Sequence, residues 1–185
     1  MNPSGIETLT NPQPCGHIVY PYTNESHLAE AVSLFAGAGL RKGEAVLLVM
    51  TADHHKPVRE LLGDEGFDLQ QLEATGQLVC KDAKTLLESF MIDGIIDDLR
   101  FITTIGDLIQ KAKASDGKRR SVRAFGEMVD LIWTSRPKAT QHLEELWNRV
   151  IEAHSVPLLC AYSLGGSRPA ELTESLIACH SHAVA

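Results

Sequence analysis

The sequence lacks most of the signatures that mark a membrane protein, an exported protein or a common enzyme. No apolar run approaches the roughly 20 residues of a membrane span, and the amino terminus, MNPSGIETLTNPQPC, has neither the charged start nor the apolar stretch of a secretory signal. The four cysteines form no C-x-x-C pair, and no G-x-S-x-G elbow occurs. These absences predict a cytoplasmic protein with no membrane partner, and they disfavour an ordinary hydrolase.

Positive charge is also scarce. The 17 Lys and Arg residues stand against 24 Asp and Glu residues, which gives a net charge of −7 and a pI near 5.6. The one basic cluster, residues 118–120 with Arg123, follows Asp116-Gly117 and is typical of a solvated turn. Because nucleic-acid binding depends on clustered Lys and Arg, we expect no direct contact with nucleic acid.

Apolar strand patterns alternate with amphipathic helical patterns along the chain. Parallel strands need crossover connections, so this alternation predicts a three-layer α/β fold with helices on both faces of a mostly parallel sheet. The length of 185 residues suits a single domain, predicted over residues 15–185 after a flexible lead-in over residues 1–14. The predicted strands are HIVYPY (17–22), AVLLVMT (45–51), QLVCKD (77–82), SVRAFGEM (121–128) and PLLCAYS (157–163).

The first strand runs directly into a helix, as in a phosphate-binding loop, but the residues of such a loop are missing. Phosphates are held by G-x-x-x-x-G-K-[ST], through backbone N–H groups and the Lys. The stretch Thr23-Asn24-Glu25-Ser26 contains no Gly and no Lys. A carboxylate at Glu25 suits the amino end of a helix and repels a phosphate, so ordinary ATP binding is disfavoured. A purely surface role for Glu25 stays open.

Ligands of open parallel sheets bind outside the carboxyl ends of the strands. Glu127 is the most interesting candidate there, because Gly126 before it allows close approach, although a structural hydrogen-bonding role is an equal alternative. Together with Tyr22 it suits a small, mostly apolar or cationic molecule better than an anion. The predicted ligand-binding residues are Tyr20, Tyr22, Glu25, Ser26, His54, Gly126, Glu127 and Tyr162, with no catalytic residue and no cofactor.

Two Cys/His pairs raise the question of a zinc site. Cys15-x-His17 lies near one end of the chain, and Cys179-His180-Ser181-His182 lies near the other. Neither pair has the usual C-x-x-C spacing, so no metal site is predicted. Cys160 falls inside a buried strand pattern, which makes it a poor nucleophile.

The ordered series of segments resembles the MEDS family, the methanogen/methylotroph sensory domain named after a dichloromethane-response regulator. The most specific segments are FGEM (125–128), LEELWN (143–148) and LLCAY (158–162). The resemblance implies a sensory module of prokaryotes. Its fold is expected to be similar to that of RecA-like and clock-protein ATPases, but with a degenerate phosphate loop. Many members carry H-x-C-x-x-Y at the first strand. Here the Cys lies at position 15, before His17, so a function that depends on it is not carried over.

The resemblance also implies a partner protein, such as a kinase, an anti-sigma system or a transcription regulator. We therefore expect a non-catalytic sensory domain that binds a small ligand of unknown identity or a partner protein. The alternative is a nucleotide-binding or nucleotide-hydrolysing RecA-like enzyme with an unorthodox phosphate loop. A third possibility is an interaction scaffold whose crevice is filled by Tyr20, Tyr22 and Phe125.

Overall fold

A six-stranded, all-parallel sheet forms the centre of the computed structural model, which describes residues 1–184, apart from the side chain of Asp116. The strand order across this sheet is β3-β2-β6-β7-β1-β8, and β4 and β5 form a separate antiparallel hairpin. The strands are β1 (His17–Tyr22), β2 (Ala45–Met50), β3 (Leu78–Asp82), β4 (Met91–Ile92), β5 (Ile95–Ile96), β6 (Val122–Gly126), β7 (Leu158–Ser163) and β8 (His182–Ala183).

Helices cover both faces of the sheet. The first four helices of the chain pack on one face and the last four on the other, around two separate apolar clusters. This arrangement confirms the predicted three-layer α/β fold. The helices are α1 (Pro3–Thr10), α2 (Glu25–Arg41), α3 (Ala52–Asp64), α4 (Leu69–Ala74), α5 (Ala83–Phe90), α6 (Asp98–Lys113), α7 (Pro137–His154) and α8 (Glu174–Ala178).

The position of strand β2 between two layers of helices explains why its sequence is continuously apolar. All six of its residues are buried, and alternate side chains enter the two clusters on opposite faces of the sheet. Leu47 and Val49 pack against the layer of α5 to α7, while Leu48 and Met50 pack beneath α2 and α3. A strand covered on both faces has no polar side to show in its sequence.

The structure differs from the flexible lead-in predicted over residues 1–14. Pro3–Thr10 forms helix α1, which begins where the side chain of Asn2 accepts a hydrogen bond from Gly5 N at 2.8 Å. Leu9 is fully buried in the cluster beneath α2. Only Gly5 and Leu9 of this helix are buried, so its sequence lacks the apolar stripe that usually indicates a helix.

The carboxyl-terminal segment returns to the sheet. Helix α8 spans only Glu174–Ala178, and the chain then adds β8 beside β1. Ser181 N donates to His17 O at 2.8 Å, and Val184 N donates to Val19 O at 3.0 Å. Across residues 1–184, no helix is long and apolar enough to cross a membrane.

Candidate functional site

A cavity of about 500 Å³ opens at the carboxyl ends of four strands, β1, β2, β6 and β7. We call it the crevice. Its position is the one expected for a ligand site in an open parallel sheet. The crevice is lined by Tyr22, Thr23, Glu25, Thr51, Asp53, His54, Asp130, Leu131, Ser163, Leu164, Gly165, Gly166, Ser167 and Arg168.

Three ionisable side chains form a continuous chain along one wall of the crevice. His54 Nδ1 lies 2.5 Å from Glu127 Oε2, and His54 Nε2 lies 2.5 Å from Glu25 Oε2. The hydrogen bond to Glu127 is the main cause that raises the pKa of His54 to about 9, although burial acts in the opposite direction. His54 is therefore an imidazolium at neutral pH, held between two carboxylates.

The backbone explains why these side chains meet. Glu25 lies in the first turn of α2, where Asn24 accepts a hydrogen bond from Ser26 N at 2.8 Å. His54 lies in the first turn of α3, and the second oxygen of Glu127 accepts a hydrogen bond from Thr51 N at the start of that helix. A carboxylate thus lies at the amino end of each helix, Glu25 from α2 itself and Glu127 from the end of β6, and the helix dipole favours negative charge there.

Asp130 holds the opposite wall together. It accepts hydrogen bonds from Ser163 N at 2.8 Å, from Trp133 Nε1 at 3.1 Å and from Arg168 Nη1 at 2.9 Å. Burial raises the pKa of Asp130, while the bonds from Ser163 and the charge of Arg168 oppose that rise. The sequence pattern over residues 128–133 predicts a helix, but residues 128–135 form a series of turns instead, and these turns bring Asp130 to the crevice.

Tyr22 forms the floor between the two walls. Its ring is 5% exposed and lies edge-on to His54, with 6.2 Å between the ring centroids. Burial, together with the negative charges of Asp130, Glu25 and Glu127, raises the pKa of Tyr22. Tyr22 is therefore a neutral phenol, which offers an aromatic surface and one hydroxyl group.

Comparison with protein-family models matches residues 16–181 to MEDS, the MEthanogen/methylotroph, DcmR Sensory domain. The chain belongs to the MEDS family. The match covers nearly the whole fold, including all four strands that border the crevice, so the protein is a sensory domain of signal transduction. None of the curated proteins matches the chain.

The crevice of this MEDS domain brings together four of the eight residues predicted to bind a ligand. Tyr22, Glu25 and His54 line the crevice. Glu127 is only 2% exposed and stands behind His54, so it positions the imidazole and does not itself face the cavity. Glu127 also bonds a backbone N–H group, as the structural alternative predicts.

Tyr20 and Ser26 lie outside the lining of the crevice. The hydroxyl of Tyr20 donates to His27 O at 3.4 Å, and its ring packs beneath α2. Ser26 is exposed on α2, and its backbone N–H is already bound by Asn24. Tyr20 lies within β1 and Ser26 in the first turn of α2, and neither residue lines the cavity.

Gly126 and Tyr162 face the other layer of the fold. A Cβ atom added at Gly126 would lie 3.6 Å from Trp147 Cζ2, and Tyr162 donates its hydroxyl proton to Glu144 of α7. Successive side chains of a strand point to opposite faces, so the residue of β7 that reaches the crevice is Ser163, one position later. The prediction of Tyr162 at the crevice is off by that one residue.

Sequence reasoning missed Asp130 and Arg168. Asp130 falls in a stretch whose pattern predicts a helix, and Arg168 follows the flexible-looking stretch Gly165-Gly166-Ser167, so no periodicity singles them out. The only feature of the sequence that could have identified them is their position, because both residues come shortly after the end of a strand. Many residues that do not line the crevice also follow strand ends, so this feature does not single them out.

Two groups among the described residues have the composition of metal ligands: His17, Glu144, Cys160 and His180, and a second set of His55, Glu73 and Cys80. The first joins the two ends of the chain that the sequence offered as possible zinc ligands. Cys179 and His182 take no part in it, since Cys179 Sγ donates to Ser175 O at 3.3 Å and His182 is exposed. Cys15 belongs to neither group.

Proposed function

We propose that the crevice is the sensory site, that it binds a small uncharged or cationic molecule, and that the domain does so without catalysis. The observation that carries this proposal is the carboxylate of Glu25, which lies at the amino end of α2 and is held there by protonated His54 at 2.5 Å. This is the place where a phosphate-binding loop would hold the phosphates of a nucleotide. We interpret it as a degenerate phosphate loop.

The charge balance of the lining supports selection against anions. Glu25, Asp53 and Asp130 contribute carboxylates, against which stand the cations of His54 and Arg168. Asp130 is paired with Arg168 and Glu25 with His54, while Asp53 is exposed at the start of α3. The excess of negative charge would repel an incoming phosphate, whereas it would attract a cation and would not repel a neutral hydroxyl compound.

The loop over residues 164–168 is a candidate element for relaying the signal. It closes one side of the crevice and is tied to Asp130 by Arg168 at 2.9 Å, while Leu164 N donates to Tyr22 O at 2.7 Å. A ligand that contacts Tyr22 and Asp130 therefore also touches the anchors of this loop. We infer that ligand binding changes the position of the loop and that a signalling partner reads that change.

Calorimetry with charged and neutral probes tests the proposal. Tetramethylammonium and its uncharged analogue tert-butanol are titrated against the protein, alongside ATP with magnesium. We expect no ATP binding, and we expect Asp130→Asn to weaken tetramethylammonium binding by at least about tenfold because a nearby charge is removed. Asp107→Asn, which changes an exposed carboxylate on α6, is the matched control and should have no effect.

Two outcomes would contradict the proposal. Magnesium-dependent ATP binding in the low micromolar range, lost in Glu25→Ala or Ser26→Ala, would establish the nucleotide-binding alternative. If neither probe binds and mass spectrometry of the native protein finds no co-purifying small molecule, the crevice has no ligand and the interaction scaffold is favoured.

A further inference from the structure

A second group of polar side chains lies buried on the α7 side of the sheet, away from the crevice. We call His17, Glu144, Cys160 and His180 the buried cluster. Its members come from β1, α7, β7 and the segment between α8 and β8. The side chains of His17, Glu144 and His180 are 2%, 0% and 1% exposed, and Cys160 is fully buried. One ligand atom from each residue lies within 4.8 Å of all the others.

The hydrogen bonds around the two histidines fix their neutral tautomers. His17 Nδ1 lies 2.9 Å from Asn148 Oδ1 and 3.1 Å from Cys179 O, and both of these atoms can only accept. His180 Nδ1 donates to Leu176 O at 2.8 Å. Because each Nδ1 carries the proton, each neutral imidazole directs the lone pair of Nε2 into the buried cluster.

These lone pairs converge on a carboxylate, which they cannot bond. His17 Nε2 lies 3.2 Å from Glu144 Oε2, and His180 Nε2 lies 3.3 Å from Glu144 Oε1. His180 Nε2 is buried and has no hydrogen-bond partner. His17 Nε2 also lies 3.3 Å from Cys160 Sγ. Two imidazole nitrogens, a carboxylate and the sulfur of Cys160 thus face one another in a buried space. A cation among them, either a proton on an imidazole or a metal ion, would stabilise this arrangement.

We propose that the buried cluster is a structural zinc site with His17, His180, Cys160 and Glu144 as its four ligands. Zinc bonds of about 2.0 to 2.3 Å give distances of roughly 3.3 to 3.7 Å between the ligand atoms of a tetrahedron. His17 Nε2 lies 3.2 Å from Glu144 Oε2 and 3.3 Å from Cys160 Sγ, His180 Nε2 lies 3.3 Å from Glu144 Oε1, and Cys160 Sγ lies 3.8 Å from Glu144 Oε2. These four separations, which involve both carboxylate oxygens, are close to the tetrahedral values, and one atom from each of the four residues lies within 4.8 Å of all the others. One thiolate and one carboxylate neutralise a divalent cation, which permits complete burial.

The surrounding groups are those that orient metal ligands. The Nδ1–H groups of both histidines donate to backbone carbonyls, and the hydroxyl of Tyr162 donates to the carboxylate of Glu144. Since all four positions are taken by protein side chains, the site has no open position for a substrate and serves stability. It ties the segment that carries His180 and β8 to β1, β7 and α7.

Metal binding by the full chain, with any affinity tag removed, tests this inference. The protein is stripped with a chelator and titrated with Zn²⁺ against a chromophoric chelator, and separately with Co²⁺ while the absorption spectrum is recorded. We expect one metal ion per chain and a four-coordinate cobalt spectrum with a thiolate charge-transfer band. Cys160→Ser should abolish that band, and both Cys160→Ser and His180→Gln should weaken Zn²⁺ binding at least tenfold.

The chain supplies matched controls for the Cys160 and His180 variants. Cys179→Ser and His182→Gln change neighbouring residues outside the buried cluster, and Cys80→Ser changes the cysteine of the His55, Glu73 and Cys80 group. All three should bind metal as the unaltered protein does.

The proposal is overturned if the unaltered protein binds no stoichiometric metal, or if cobalt gives a six-coordinate spectrum without a thiolate band. It is also overturned if Cys80→Ser or Cys179→Ser removes the band. Should Cys160→Ser and His180→Gln fail to fold, the cobalt spectrum of the unaltered protein and of the three controls decides the question.

Discussion

The Glu25–His54–Glu127 chain makes the stability of the protein depend on pH in a defined window. Contact with Glu127 raises the pKa of His54 from 6.5 to about 9 in the folded protein, and the unfolded chain returns it to the ordinary value. Between these two values the folded protein binds one proton more than the unfolded chain. The free energy of unfolding therefore carries the full contribution below about pH 6.5 and loses it as pH rises through about 9.

The size of this contribution follows from the width of the window. At about 1.4 kcal/mol per pKa unit, the shift corresponds to about 3 kcal/mol. Glu127 provides most of it, because its carboxylate is 2% exposed, whereas Glu25 is 68% exposed and water screens its charge. We therefore take about 3 kcal/mol as an upper limit.

Urea unfolding of the wild type and of His54→Gln between pH 6 and pH 10 measures the effect. The difference in free energy of unfolding between the two proteins should be largest near pH 6 and should shrink by up to about 3 kcal/mol by pH 10. Other groups that titrate in this range contribute to both proteins and cancel in the difference. His27→Gln, a change at an exposed histidine on α2, should leave the pH profile unaltered.

NMR titration of the His54 ring gives a direct check on the same reasoning. A folded-state pKa at or below 6.5, or a difference between the two proteins that stays constant with pH, would refute the interpretation of His54 as an imidazolium held by two carboxylates.

Two further predictions concern packing. Trp147→Ala should lower the free energy of unfolding by about 3–5 kcal/mol, because the indole is 1% exposed and meets Phe101 edge-on with 5.3 Å between the ring centroids. Thermal unfolding measures this loss, and the control Leu99→Ala, at a side chain that is 75% exposed, should have little effect. Unchanged stability of Trp147→Ala would mean that Trp147 belongs to an interface and not to the core. Gly39→Ala should lower the free energy of unfolding by about 1–3 kcal/mol, because the added Cβ would lie 2.4 Å from the Nε atom of buried Arg123. Gly63→Ala, where nothing lies within 4 Å, should be neutral or stabilising, and equal losses in the two glycine variants would contradict the close-contact explanation.

The sequence by itself determined the fold class and the end of the sheet where the crevice lies. Short, continuous apolar runs such as Ala45–Met50 indicate strands covered on both faces, and the helical patterns between them supply the crossover connections that parallel strands require. The missing Gly and Lys between Thr23 and Ser26 were visible for the same reason, since the signal lies within a few neighbouring residues.

Only the tertiary structure decided which side chains meet. Glu25 and Glu127 are about a hundred residues apart in the chain, and His54 joins them because β1, β2 and β6 end at the same edge of the sheet.

The buried cluster likewise depends on the position of β8 beside β1, which carries His180 to within 3.3 Å of Glu144. Helical and strand periodicity reports which face of an element is buried, but not which elements share that face. Contacts between distant segments therefore left no pattern in the sequence from which they could be predicted.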